Sequence, residues 1–590
     1  MNKTWSQRSD DFLKISGQFK LGALVTEGSH PVTANLSDVA KADIAGALKL
    51  LFEADGDVIR KYREFVSSGR AEKVKDALVH ALKNNGRIFF TGCGSTGRLS
   101  ILLDSVWRDF FQAHGNATWE DRTFSVMAGG DYALIKSVEG FEDFAAFGKK
   151  QMSDLGVSAK DVVFAITEGG ETSFVIGTAW AGVDVGAKVY FVYNNPDEIL
   201  CEHVQRSREV IQDTRIEKIN LTTGPMSITG STRMQATSIQ LCVMLTILEM
   251  AVRELVSAKP MDVPKQFLEH LETAYQGLKA PEFLDSLATL VALEENAYRH
   301  GSKNNYYAGR FGIDVLTDTT ERSPTYCTPP FRKFDDDRAA ESWAYLFLAE
   351  DWTDKAWQAI LKRKPRCVEW REAEIRQLVA EENVDRTLET IEKISSTELM
   401  RYKIGSNGLR YRPLVIEDCA VAVMSSTETR TAQNFQFKQL ELARASKART
   451  AVLYFGHEIP DNLMATNVFT FVMVPQTDLL LDGVTRVIVK LVMNALSTCT
   501  MVRLGRVMGN YMVWVVPSNL KLIDRATRYI TRLTDLNYTA ANRLLFEIIT
   551  YVEPRMKSDQ AYPPVVRMAV LRAKETLSNE QAEERIKTEG

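Results

Sequence analysis

Between Gly86 and Tyr193 a short apolar run gives way four times to a polar or glycine-rich turn and then to a helical pattern, and no other feature narrows the fold so far. Gly86-Arg-Ile-Phe-Phe-Thr-Gly92 is bounded by glycines and reads as a buried strand. Cys93-Gly-Ser-Thr-Gly97 follows at once, and a helical pattern opens at Arg98. Thr123 to Ala128, Asp161 to Ile166 and Ala187 to Tyr193 repeat the alternation. Strands that alternate with helices pair in parallel, with helices on both faces, and such sheets gather ligands at the carboxyl ends of their strands. The fold class is α/β.

Composition excludes several alternatives. With 72 Lys+Arg against 76 Asp+Glu the formal net charge is −4, so there is no basic field to draw a nucleic-acid backbone. The cysteines (Cys93, Cys201, Cys242, Cys327, Cys367, Cys419, Cys499) stand singly, with no C-x-x-C pair and no His at ligand spacing. That pattern suggests neither a disulfide framework nor a zinc site and fits a reducing cytoplasm. No metal or cofactor is expected. Met1 to Lys20 lacks the apolar core of a signal peptide, and the longest apolar run, around Leu241 to Val252, is broken by Glu249. It falls short of the roughly 20 residues of a membrane span. The expectation is a cytoplasmic protein with no membrane and no nucleic-acid partner.

Ser37 to Asn84 carries apolar residues at helical spacing, and a helix from about Arg233 to Leu255 closes the first unit before a linker at Ser257 to Pro264. A second helical stretch, Pro264 to Tyr298, then leads into Asn305-Tyr-Tyr-Ala-Gly-Arg-Phe-Gly312, again a strand followed by a glycine turn. Gly94 and Gly97 each stand 215 positions before Gly309 and Gly312, which marks an internal repeat. Strands at Pro413 to Met424, Thr450 to Phe455 and Val468 to Val474 complete a second sheet, and Gln476 to Glu553 reads as mostly helical.

Three turns in the first unit are rich in glycine and hydroxyls: Gly94-Ser95-Thr96-Gly97-Arg98, Thr167-Glu-Gly-Gly-Glu-Thr-Ser173 and Thr229-Gly-Ser-Thr-Arg233. At helix starts such turns offer backbone N–H groups and hydroxyl donors to an anion. Each alone is as well read as an ordinary N-cap, and three on one sheet favour a ligand. No Walker-type Lys follows the first turn, and Gly92-x-Gly94-x-x-Gly97 has no acidic ribose reader near Met127 to Asp131, so neither a nucleoside triphosphate nor a dinucleotide is expected.

Gly92-Cys-Gly-Ser-Thr-Gly-Arg-Leu99, Ser137-Val-Glu-Gly-Phe-Glu-Asp143 and Thr229-Gly-Ser-Thr-Arg-Met234 closely resemble the sugar isomerase (SIS) domain of N-acetylmuramic acid 6-phosphate etherases. Two such units in one chain, together with Leu496-Ser-Thr498, Val502-Arg-Leu-Gly-Arg506 and Ser518-Asn-Leu-Lys521, resemble the glucokinase regulatory protein, the double-domain relative of those enzymes. The resemblance implies two doubly wound, flavodoxin-like SIS domains in tandem, a pseudo-dimer within one chain, under a helical C-terminal lid. The expected units are 1–260, 261–490 and 491–590.

It also implies a sugar 6-phosphate ligand. Carried over by position, Gly94, Ser95, Thr96, Gly97 and Arg98 hold the phosphate with Thr167, Gly169 and Thr172, while Ser231, Thr232 and Arg233 line the same pocket and Asn519 and Lys521 reach it from the C-terminal segment. Three departures stand out: Glu171, where the family is polar or small, Gln235 in place of a Lys, and Met226 in place of an acid. Etherases of this family use two glutamates, one to remove a proton and one to protonate the departing ether oxygen. Glu139 matches one of them. The other position is Val106 in the first unit, which cannot carry a proton, but the repeat offset leads from it to Glu321, in Asp318-Thr-Thr-Glu-Arg-Ser-Pro-Thr-Tyr326. The two units are complementary, so one composite site is expected, with Glu139 and Glu321 on opposite sides of the sugar. The first reading is a phosphosugar sensor that presents a changed surface to a partner, such as a sugar kinase. The alternatives are a lyase cleaving the lactyl ether of N-acetylmuramic acid 6-phosphate with Glu139 and Glu321, or an amino-sugar phosphate isomerase.

Overall fold

The computed structural model describes residues 3–18, 20–138, 140–459, 466–556 and 562–589. Its centre is a pair of five-stranded parallel sheets. The first contains β1 (Ile88–Gly92), β2 (Thr123–Met127), β3 (Val162–Ile166), β4 (Lys188–Tyr193) and β5 (Ile216–Asn220) in the order β2-β1-β3-β4-β5. The second contains β6 (Asn304–Ala308), β7 (Ala344–Phe347), β8 (Cys419–Ser425), β9 (Arg449–Gly456) and β10 (Val468–Met473) in the order β7-β6-β8-β9-β10. The two orders are the same, so β1 and β3 correspond to β6 and β8, and each sheet reverses its winding between those strands. That reversal opens the crevice where ligands bind in such sheets. The chain is therefore two tandem α/β SIS-type units, as the repeat implied.

Burial explains which strands were legible. β1 and β3 lie inside the first sheet with every residue buried, and both read as continuous apolar runs. β5, Ile-Glu-Lys-Ile-Asn, is an edge strand that exposes its Glu, and β7 has only four residues, so neither rises above the background of the sequence. The span expected to be mostly helical also contains a small hairpin, β11 (Val507–Met508) and β12 (Tyr511–Met512).

Seven helices position the site. α1 (Gly94–Ala113) follows β1, α2 (Ser173–Asp184) follows β3, and α3 (Gln235–Leu255) closes the first unit. α4 (Gly312–Tyr326) follows β6, α5 (Arg430–Ala445) follows β8, and α6 (Gly483–Arg503) is the counterpart of α3. α7 (Leu520–Leu533) belongs to the C-terminal region and lies against the first unit, where Tyr529 donates to the Thr229 carbonyl. α3 and α6 are long and apolar enough to cross a membrane by length and composition, yet 94% of the apolar window of each is buried inside the fold. They pack on each other, α6 also packs on α4, and their apolar character is that of core helices. α6 also runs without a break through residue 490.

The two units meet through charge as well as apolar packing. Arg363 of the second unit donates to Asp104, Asp131 and Ser125 of the first, and Gly130 forms an isolated bridge with Cys367.

Candidate functional site

The β1–α1 turn is built by close approach. A Cβ on Gly92 would lie 2.3 Å from the carbonyl carbon of Thr96, so only glycine lets the helix begin this close to the strand, and Gly94 adopts a left-handed φ of +54°. The Thr96 hydroxyl accepts from the Cys93 N–H at 3.1 Å and donates to the Cys93 carbonyl at 3.0 Å. It caps α1 rather than facing outward. Ser95 is half-buried, and its hydroxyl has no hydrogen-bonding partner among the described residues.

Arg98 departs from the sequence expectation. Its side chain is 0% exposed and turns into the interface between the units, where Nε donates to Thr320 Oγ1 at 3.2 Å and Nη1 pairs with the Glu321 carboxylate. α4 thus delivers Glu321 to the residue directly after Gly97. Arg233 is similar: it is buried, and its Nη2 donates to Asp318 at 2.8 Å, to Ser497 at 2.7 Å and to Asn494 at 3.2 Å. Both arginines therefore join the units instead of standing free in a pocket. The Nη2 of Arg98 and the Nε and Nη1 of Arg233 are buried without hydrogen-bond partners among the described residues, which leaves unused N–H donors beside the two turns.

Around the β3–α2 turn, Thr167 and Thr172 share a hydroxyl contact at 3.2 Å, and the Gly169 carbonyl accepts from Asn195. Glu171, one of the departures from the family pattern, pairs with Lys521 and Arg206. Burial pushes its carboxyl up, but the two cations outweigh burial and bring it down to about 2. Asn519 caps α7, accepting from the Leu522 N–H at 2.9 Å. A cavity of about 660 Å³ opens here, with Thr172, Ser173, Asn519 and Lys521 in its wall beside Glu142 and Glu171. Ser231 is buried and Thr232 half-buried in the third turn, and neither lines that cavity. Glu139 lies outside the described residues.

Two residues that the sequence reading passed over lie in this centre. Glu168 is buried at the end of β3 and accepts from Thr237 at 3.3 Å; burial, with the Glu321 carboxylate adding to it, raises its carboxyl to about 7. Lys490 on α6 donates to the Arg233 carbonyl at 2.7 Å, and burial, aided by the Arg233 cation, lowers its ammonium to about 8. Groups drawn toward neutrality from opposite sides suit proton exchange. Each left a trace in the sequence. Glu168 sits inside a turn already marked for its glycines, and Lys490 is a lone charge in the apolar run Val487 to Met493.

Glu168 also makes stability depend on pH. The folded chain keeps this proton up to about pH 7, whereas the unfolded chain releases it near the ordinary value of 4.5. In that window the unfolded state binds fewer protons, so the contribution falls as pH rises from about 4.5 to 7 and is flat above. Buried Asp55 and Glu428, each also raised to about 7, act in the same direction. At roughly 1.4 kcal/mol per pKa unit, Glu168 accounts for on the order of 3 kcal/mol. Denaturant midpoints at pH 5.5 and 8 should therefore differ less in Glu168→Gln than in the native chain. An equal difference in both would remove Glu168 from this role.

The model of the glucokinase regulatory protein N-terminal SIS domain matches residues 70–181. The N-acetylmuramic acid 6-phosphate etherase of Yersinia pestis (strain Pestoides F) is 32% identical over 221 residues, which cover 37% of this chain and 68% of that one. The etherase of Yersinia pseudotuberculosis serotype O:1b (strain IP 31758) aligns with the same identity and coverage: 32%, 37% and 68%. Among solved structures, the tagatose-6-phosphate ketose/aldose isomerase of Escherichia coli superposes with a TM-score of 0.41 at 10% identity, covering 78% of this chain and 94% of that one.

Proposed function

This chain belongs to the N-acetylmuramic acid 6-phosphate etherase family, and from that premise we propose that it binds a sugar or amino-sugar 6-phosphate in its first SIS unit and acts as a phosphosugar-responsive regulator. The phosphate meets the turn amides of Ser95 to Gly97, the Ser95 hydroxyl and the Thr167–Thr172 turn, and Lys521 and Asn519 close the pocket from α7.

The observation that carries this reading is the buried Arg98–Glu321 pair. It ties the first residue after the phosphate turn to a helix of the second unit. A ligand that moves the turn therefore moves the contact between the units, and the difference in affinity between two arrangements is what a regulator needs. The same pair weighs against catalysis. Before Glu321 can pass a proton to an ether oxygen it must leave Arg98, and breaking a buried ion pair costs about 3–5 kcal/mol. In this reading a protein partner, of the kind a sugar kinase represents, reads the altered surface.

The lyase reading keeps one point in its favour: burial, with the Glu321 charge adding to it, raises the Glu168 carboxyl to about 7, the range that suits a general acid near neutral pH. Incubation with N-acetylmuramic acid 6-phosphate separates the two. The regulator releases no lactate, while saturating phosphosugar, at about 100 times its Kd, stabilises the fold by about 2.7 kcal/mol, seen as a rise of about 2 degrees in Tm. Lactate release that disappears in Glu139→Gln and Glu321→Gln establishes the lyase instead, and the absence of any thermal shift overturns binding.

A further inference from the structure

The second unit has a turn where the first has its phosphate loop, and that turn is occupied. Glu428 lies directly before Thr429, the N-cap of α5. Glu171 holds the same place before Thr172, the N-cap residue of α2, in the first unit. In the first unit that carboxylate turns outward to Lys521 and Arg206. In the second it turns inward to the switch point between β6 and β8. One oxygen accepts from the Arg310 N–H at 3.1 Å, the other accepts from the Ser425 N–H at 2.9 Å, and the Gln436 amide donates at 3.4 Å. The fit is close enough that a Cβ on Gly309 would lie 2.3 Å from the carboxylate. Glu428 pairs with no cation among the described residues, and burial raises its carboxyl to about 7, so amides alone hold it. Buried Arg486, paired with Asp314, stacks its guanidinium 5.4 Å over Phe311 of the same turn, and its Nε–H has no hydrogen-bond partner among the described residues.

We propose that the second unit is an anion site closed from within, its turn amides bound by the Glu428 carboxylate in place of a phosphate. Opposite rotation of two equivalent glutamates then leaves one site open and one filled in each chain. That one-to-one count rests on the function proposed above for the first unit, whereas the closed state of the second does not.

The test is the change in phosphate stoichiometry on removing the internal carboxylate. Equilibrium dialysis of the full chain against radiolabelled inorganic phosphate at pH 8 compares the native protein with Glu428→Ala and Glu428→Gln. The Ala variant is expected to bind one phosphate per chain more than the native protein, and the Gln variant, which keeps the bulk that fills the turn, no more than the native protein. The increment is independent of whether the first unit binds phosphate, so failure here is distinct from failure of the proposed function. Equal counts in the native and Ala proteins overturn the proposal. If the Ala variant is too unstable for dialysis, its thermal transition is read in phosphate against chloride of equal ionic strength. A phosphate-specific rise of several degrees, larger than that of the native chain, supports the closed site, and no such difference overturns it.

Discussion

Glu321→Ala should lower the unfolding free energy by about 3–5 kcal/mol, the cost of leaving a buried charge without its partner. Arg98 is wholly buried, Glu321 is its one carboxylate partner among the described residues, and one of its nitrogens already lacks an acceptor. Burial pushes the guanidinium pKa down, and Glu321 opposes that push. Truncating Glu321 therefore removes the compensation and leaves the desolvation. The double variant Arg98→Met with Glu321→Leu discards both charges and fills the space, so it should recover most of the loss. Urea midpoints of the native chain, Glu321→Ala and the double variant give the comparison. A Glu321→Ala variant within about 1 kcal/mol of the native chain, inside the range of exposed pairs, would show that the pair does not hold the units together.

The largest expected effect on binding comes from Gly92→Ala. The added methyl would sit 2.3 Å from the Thr96 carbonyl carbon and 2.5 Å from the Gly97 nitrogen, both backbone atoms at a helix start. A close-packed interior cannot absorb this contact by moving a flexible side chain, so the phosphate turn must shift. Displacing a positioned site by about 1 Å costs on the order of 100-fold. Affinity for N-acetylmuramic acid 6-phosphate, measured by calorimetry, should fall by at least about that factor while the far-ultraviolet spectrum stays native. Gly94→Ala is the control. Its methyl meets nothing within 4 Å, so only the left-handed backbone is strained, at about 1–2 kcal/mol. Equal losses at both positions would argue against close approach as the reason for Gly92.

The legible parts of this protein were those decided by neighbours along the chain. Strand and helix periods report which residues a segment buries, so β1 and β3 stood out, while the polar edge strand β5 and the short β7 did not. The offset of 215 positions between the glycine turns was also readable in the sequence, and it led from Val106 to Glu321, which lies in the interface beside the first turn. Thr96 shows where local reading stops: a hydroxyl in a phosphate-like turn is equally a cap, and the backbone geometry at Cys93 made it one.

The direction taken by each charged side chain was a tertiary decision. Arg98 turned to Glu321 because α4 brings a carboxylate against α1, and Glu171 turned to a lysine 350 positions away because α7 lies over the first unit. Glu428, in the equivalent place, meets no such lysine among the described residues and turned inward to the amides. A buried charge goes to whichever partner the fold brings within reach, because the cost of desolvation exceeds any local preference. Hydrophobic spacing along the chain thus specified two sheets of one design, and only their packing decided which carboxylate pairs with a lysine and which turns to the amides of its own unit.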